Sequence, residues 1–248
     1  MECGIAIYTA EDLKLTESFK NFSIVEIPGE ILETDDFDGI MPQKNVIHIR
    51  ELLGRNIISE LPEVPFQVRC GFLTLLDKRC KLMQRCGIRI ATLTPDIGRA
   101  ISDKNYQAAL KDILLCISGI CRKYDIELCY ELRLPENFEQ ALDVTGRFLS
   151  STSLFFKLLL DFHPHEPRSF DYLTAVAGKL PFNCDNWRIS FEVASCNYLS
   201  AEVVKRVMKL SRRSGWANDY MIFAPGVGTD SENYLLLDKL AGECCKKG

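Results

Sequence analysis

Apolar residues recur along this chain at two spacings. Short runs rich in Ile, Val, Leu and Phe, usually closed by Pro, Gly or a charge, occupy GIAIYT (4–9), SIVEIPG (23–29), NVIHIRE (45–51) and IRIATLTP (88–95). The same pattern returns in IELCYELR (126–133), LFFKLLLD (154–161), WRISFEVA (187–194) and DYMIFAPG (219–226). Runs of this length and composition read as strands. Between most of them the apolar positions shift to a three- and four-residue spacing, clearest at 65–86, 105–124, 137–149 and 200–213. That spacing predicts amphipathic helices. The acidic, turn-rich stretch 30–44 carries no clear helix, and 30–64 is expected to be irregular.

Strands that alternate with helices imply parallel pairing through right-handed crossovers. Eight such strands are enough to close a barrel. The expectation is an α/β fold: a single (β/α)8 TIM barrel spanning residues 1–248. A doubly wound open sheet is the structural alternative, but no G-x-G-x-x-G follows the first strand.

Strand alternation then sorts the side chains. Large apolar residues take one parity throughout. The other parity, directed at the barrel axis, carries Glu26, His48, Arg50, Glu131, Arg133, Lys157, Asp161 and Glu192, with His163 two residues beyond Asp161. Most of these fall near the C-terminal ends of their strands, the rim on which barrel enzymes build their sites. Carboxylates gathered there repel one another unless a cation or a basic side chain neutralises them.

Composition narrows the field. The chain has 248 residues, 47 % of them hydrophobic, and a formal net charge of −4. An acidic balance argues against nucleic acid as a partner. The densest basic stretch, Lys205 to Arg213, has helical spacing and reads as a solvated helix face. Apolar runs are too short to span a bilayer, and the first residues lack a signal peptide's basic start. Eleven cysteines without a C-x-x-C, many of them within apolar periodicity, suit reduced thiols in the cytoplasm. No disulfide is expected among Cys80, Cys86, Cys116, Cys121 and Cys129. Oligomeric state is left open.

The stretch from about residue 65 to 166 resembles the xylose isomerase-like superfamily of TIM barrels. Three pieces carry the likeness: a long helix ending CGIRIATLT, the helix and strand KYDIELCYELRLP, and KLLLDFHPHEP after a further helix. The resemblance implies isomerisation or epimerisation of a small sugar or related polyol, with or without a phosphate. It further implies a divalent ion (Mn²⁺, Mg²⁺ or Zn²⁺) held by Glu131, Asp161 and Glu192 with His163. Glu131 or Glu192 would move the proton, with His163 as a further acid/base candidate. Glu26, His48, Arg50 and Arg133 would contact substrate, and Arg50, Arg133 or His163 would stabilise an enediolate oxygen. The chain departs from the family on strand seven, where Glu192 stands in place of His. It departs again on strand eight, which offers no acid.

Other readings stay open. Lys157 stands on strand six, where barrel aldolases of the Schiff-base type carry their lysine. The missing acid on strand eight also suits a degenerate barrel that binds a ligand or partner without turnover. APGVGTDSE at 224–232 reads either as a phosphate-cradling turn or as a plain tight turn.

Overall fold

The computed structural model describes residues 2–33, 37, 46–54, 56–133, 157–163, 169–176, 186–190, 200–213, 220–226 and 228–244. Eight parallel strands close a barrel in sequential order. They are β1 (Glu2–Ala6), β2 (Ile24–Pro28), β3 (Val46–Arg50), β4 (Ile90–Leu93), β5 (Glu127–Arg133), β6 (Lys157–Phe162), β7 (Asn186–Ser190) and β8 (Tyr220–Ala224). β1 pairs with both β2 and β8, which seals the ring.

Each predicted strand is present, within a few residues of its expected bounds. β1 differs most. It spans Glu2–Ala6, and Ile7 and Tyr8 already belong to its exit. The helices Phe66–Arg85 (α3), Lys104–Lys123 (α5) and Ala201–Arg213 (α7) match their predicted spans closely. The predicted helix 137–149 lies outside the described residues. The shorter helices Ala10–Leu15 (α1), Ile57–Glu60 (α2), Ile97–Ser102 (α4) and Ser169–Val176 (α6) carry too few turns to show a period. Three helices instead begin on caps legible in the sequence. Thr9 accepts from the Asp12 amide, Asp96 from the Arg99 amide, and Asp103 from those of Asn105 and Tyr106. Gly29–Glu33 forms a 3₁₀ turn in the stretch expected to be irregular.

The register divides the molecule into two cores. One parity of β1, β2, β3 and β8 supplies Ile5, Val25, Ile27, Ile47, Ile49, Met221 and Phe223, all buried in the large cluster beneath the helices. The other parity faces the axis. There Ala6, Ile24, Ile222 and Ala224 form a small separate cluster, flanked by Tyr8 and Ile90. Beside it lie the buried polar residues Glu26, His48 and Thr92. Small residues keep this interior closed. A Cβ at Gly4 would come within 2.9 Å of the Ile24 Cβ.

The N-terminal face is tied by helix α8 (Ser231–Cys244). The buried Asp238 carboxylate accepts from the backbone amides of Lys20 (3.1 Å), Asn21 (2.8 Å) and Phe22 (3.2 Å), just ahead of β2. The Asn21 side-chain amide donates to the same carboxylate and to the Asp238 carbonyl. Gly242 makes room for this contact, since a Cβ there would stand 2.6 Å from the Asn21 Oδ1. Phe22 packs edge-on against Phe19 and also meets Phe223 on β8.

Among the cysteines, Cys80, Cys86, Cys116, Cys121 and Cys129 are free thiols, as are Cys70 and Cys244. The Cys80 and Cys121 sulfurs touch at 3.8 Å between α3 and α5, and both are buried. Two details differ from expectation. Cys70 and Cys116 are exposed, so helical periodicity placed them wrongly, and Cys3 is disulfide-bonded. Among the described residues no helix is long and apolar enough to cross a membrane.

Two stability predictions follow from these arrangements. Asp238→Ala leaves three backbone amides without their acceptor and should cost about 2–4 kcal/mol, with Asp238→Asn falling between. Chemical denaturation reads the difference, and a loss under about 1 kcal/mol would show that the carboxylate does not anchor the loop. The second concerns His48, only 2 % exposed, whose imidazole burial holds down to about 3 against an ordinary 6.5. The folded barrel keeps it neutral while the unfolded chain protonates below pH 6.5. Stability therefore falls as pH drops from about 6.5 towards 3, by on the order of 3 kcal/mol at pH 4. A His48→Gln variant should lose that part of the acid sensitivity. Equal acid losses in the two proteins would refute the assignment.

Candidate functional site

Most of the polar residues singled out by alternation lie on the described strands. Glu26 and His48 are register partners on β2 and β3, and both are buried. Arg50 ends β3 and reaches the Glu26 carboxylate at 3.8 Å. Its guanidinium also lies 4.5 Å over the Tyr8 ring, at the exit of β1. An acid only 1 % exposed is thus held beside a cation that an aromatic face supports from another side. Burial keeps His48 neutral there, so it adds no charge beside Glu26 and Arg50.

Glu131 lies on β5 and is partly buried. Asp161 belongs to β6, in a row fixed by register: Arg133 on β5 pairs with Asp161, and Asp161 pairs with Arg188 on β7. Following the pairs around the barrel puts Glu26, His48, Glu131, Arg133, Asp161 and Arg188 on one parity. His163 follows β6 directly. It is buried, and its carbonyl accepts from the Ser169 hydroxyl at 2.6 Å, at the start of α6. Lys157 opens β6 four residues before Asp161. At about 3.3 Å per residue it stands about 13 Å deeper. Glu192 lies outside the described residues.

Alternation missed two residues. Glu51 follows β3 with the outward parity, yet its backbone turns left-handed there, with φ of 51°. Its amide donates to the Thr92 hydroxyl at 3.2 Å, and its carboxylate accepts from the Thr94 hydroxyl at 2.7 Å. Parity stops being informative where the chain leaves the strand. The buried Arg79 of α3 fixes this exit by donating to the Leu52 carbonyl and to Glu33. Gly29 lets the β2 exit lie against it, since a Cβ would stand 2.6 Å from the Glu51 carbonyl. Tyr8 is the other omission. Only its contact with Arg50 identifies it.

The glycine turn after β8 resolves into a capped turn. The Thr229 hydroxyl donates to the Gly226 carbonyl, and Asp230 accepts from the Asn233 amide at the N-terminus of α8. A carboxylate at that helix end occupies the place an anion would need. A cavity of about 730 Å³ opens at the other end of the barrel, between Arg89, Ser118, Arg122, Asp125 and Glu127. It adjoins the beginnings of β4 and β5, away from the rim.

A resident divalent ion would need an excess of oxygen donors. Among the described residues no group of three or more His, Cys, Asp or Glu is brought together to hold one. β8 brings Ile222 and Ala224 to the interior, both buried in the apolar cluster. Of the ligands implied by the family resemblance, Glu131 and Asp161 share one parity on β5 and β6, and Glu192 lies outside the described residues.

No family model and no curated protein matches the chain by sequence. Solved structures do match by shape. D-psicose 3-epimerase, in a structure determined in the presence of D-fructose, superposes with a TM-score of 0.65 at 13 % identity, covering 98 % of this chain and 96 % of that one. A xylose isomerase domain protein from Alicyclobacillus acidocaldarius gives 0.63 at 14 %, covering 98 % and 99 %. A GH18 chitinase from Pseudoalteromonas aurantia also reaches 0.59 at 11 %, covering 96 % and 100 %. One backbone plan thus serves epimerase and chitinase alike, and chemistry has to come from the residues. At these identities the likeness establishes the fold alone: a (β/α)8 barrel.

Proposed function

We propose that this barrel moves a proton between carbons of a small, sugar-like substrate bound at its C-terminal rim. The observation that carries the reading is the placement of Glu131 on β5, Asp161 on β6 and His163 directly after β6, in a barrel of the shape shared with D-psicose 3-epimerase. Glu131 takes a proton from the hydroxyl-bearing carbon next to the substrate carbonyl, leaving an enediolate, and returns it to the former carbonyl carbon, while the hydroxyl proton passes to the former carbonyl oxygen. Arg133 and His163 hold the enediolate oxygen as its charge develops. Glu26, His48 and Arg50 form a fixed wall against which hydroxyls are positioned. Isomerisation needs only one such carboxylate. Epimerisation needs a second group on the opposite face of the carbon, and Glu192 is the candidate.

Two alternatives are ordered by the same geometry. A degenerate, binding-only barrel is favoured by the apolar β8 side, where Ile222 and Ala224 stand. A Schiff-base lyase is disfavoured by the depth of Lys157 at the start of β6. The free thiols of Cys80, Cys86, Cys121 and Cys129 favour a reducing compartment such as the cytoplasm, and the Cys3 disulfide is the contrary feature.

Proton exchange tests the reading directly. Folded protein incubated with a panel of ketohexoses and ketopentoses in D₂O should introduce deuterium next to the carbonyl, seen by NMR. Glu131→Gln should slow the exchange about 10²–10⁴-fold without lowering the melting temperature. Absence of exchange with every sugar tried, in protein that melts cooperatively, would leave the binding-only barrel as the reading.

A further inference from the structure

We propose that Cys80 and Cys121 form a thiol–disulfide exchange site, entered through the cavity at the N-terminal end of the barrel, whose oxidant is a small zwitterionic disulfide of the oxidised thiol-peptide class. The two sulfurs lie 3.8 Å apart, Cys80 on α3 and Cys121 on α5. Both side chains are buried. A disulfide holds its sulfurs at about 2.05 Å, so closure asks each to move by less than about 1 Å. The two positions are 41 residues apart in sequence, and the bond fastens α3 to α5.

Burial alone would leave such thiols inert. The cavity supplies the approach. Its volume of about 730 Å³ is that of a small-molecule pocket, and Cys121 is one of its lining residues. The cations Arg89 and Arg122 and the acids Asp125 and Glu127 line it too. The Arg122 guanidinium donates to the Ser118 hydroxyl at 3.5 Å. Carboxylates of the oxidant match the guanidinium groups, and its ammonium groups match the acids. Cys121 gives its proton to water, and its thiolate attacks one sulfur of the small disulfide. One half leaves as a thiolate and takes up a proton. Cys80, losing its own proton, then attacks the Cys121 sulfur of the mixed disulfide, and the second half leaves as a thiol. Two protein thiols are thereby oxidised by two electrons, and one small disulfide is reduced to two thiols. The 3.8 Å separation makes the second step intramolecular. The hydrogen bond with Cys80, and then burial, push the Cys121 thiol above its ordinary 9.0. The pair therefore rests as the dithiol, and the first step takes hours rather than seconds. None of these residues belongs to the rim, and the inference is independent of the reaction proposed there.

The test uses the full, folded chain with glutathione disulfide as the probe. After incubation the protein is alkylated, digested without reduction and mapped by mass spectrometry. A peptide pair joined through Cys80 and Cys121 should appear, lighter than the two free peptides by about 2 Da. Cys70 and Cys116, exposed on the same two helices, are the comparison and should keep glutathione as a mixed adduct. Cys80→Ala removes the resolving thiol and should leave glutathione on Cys121. Cys121→Ala should leave Cys80 unmodified. Arg122→Gln, at an exposed position of α5, should slow bridging by glutathione disulfide about tenfold and leave the neutral 2-hydroxyethyl disulfide unaffected. The wild-type map alone decides the main point, whether or not the variants fold. Cys80 and Cys121 both fully alkylated on denaturation, in protein whose Cys70 and Cys116 carry glutathione, would overturn the proposal. Equal bridging rates with the two disulfides, unchanged by Arg122→Gln, would overturn the cavity as the route.

Discussion

Closure of the barrel is the constraint on which everything else depends. Once β1 pairs with β8, every strand must give one parity to a shared interior, and the parity set on one strand is imposed on all eight. Polar side chains on that parity that lie away from the barrel's ends must answer one another. Glu26 and Arg50 do so within 3.8 Å. His48 does so by giving up its charge.

The interior is accordingly uneven. Its β8, β1 and β2 side is lined by small and apolar residues, while β2 to β4 contribute Glu26, His48 and Thr92. The β5 to β7 side brings Arg133, Asp161 and Arg188 into one register row. Low-dielectric surroundings make charges costly when unbalanced and strong when paired. Barrels of the same shape with different charge patterns will run different reactions.

Much of this was legible before any coordinates. The eight strands, their parity and the placement of Glu26, His48, Glu131 and Asp161 on one parity all follow from apolar alternation, because a two-residue period is rigid inside a closed sheet. Cross-strand register was not legible. It depends on how far each strand is sheared against the next, and so the pairing of Asp161 with both Arg133 and Arg188 could not be read from either segment alone. Glu51 escaped because a left-handed residue ended the alternation, and Tyr8 because β1 stopped at Ala6. Exposed Cys70 and Cys116 show the weaker grip of helical periodicity on residues at the edge of an apolar stripe.

The Asp238 anchor sits at the opposite end of the barrel from the rim. It braces the entry to β2 by hydrogen bonds whose acceptor is a single side chain. Architecture and chemistry are therefore held by different residues at opposite poles. Substitutions at one pole can accumulate without being felt at the other.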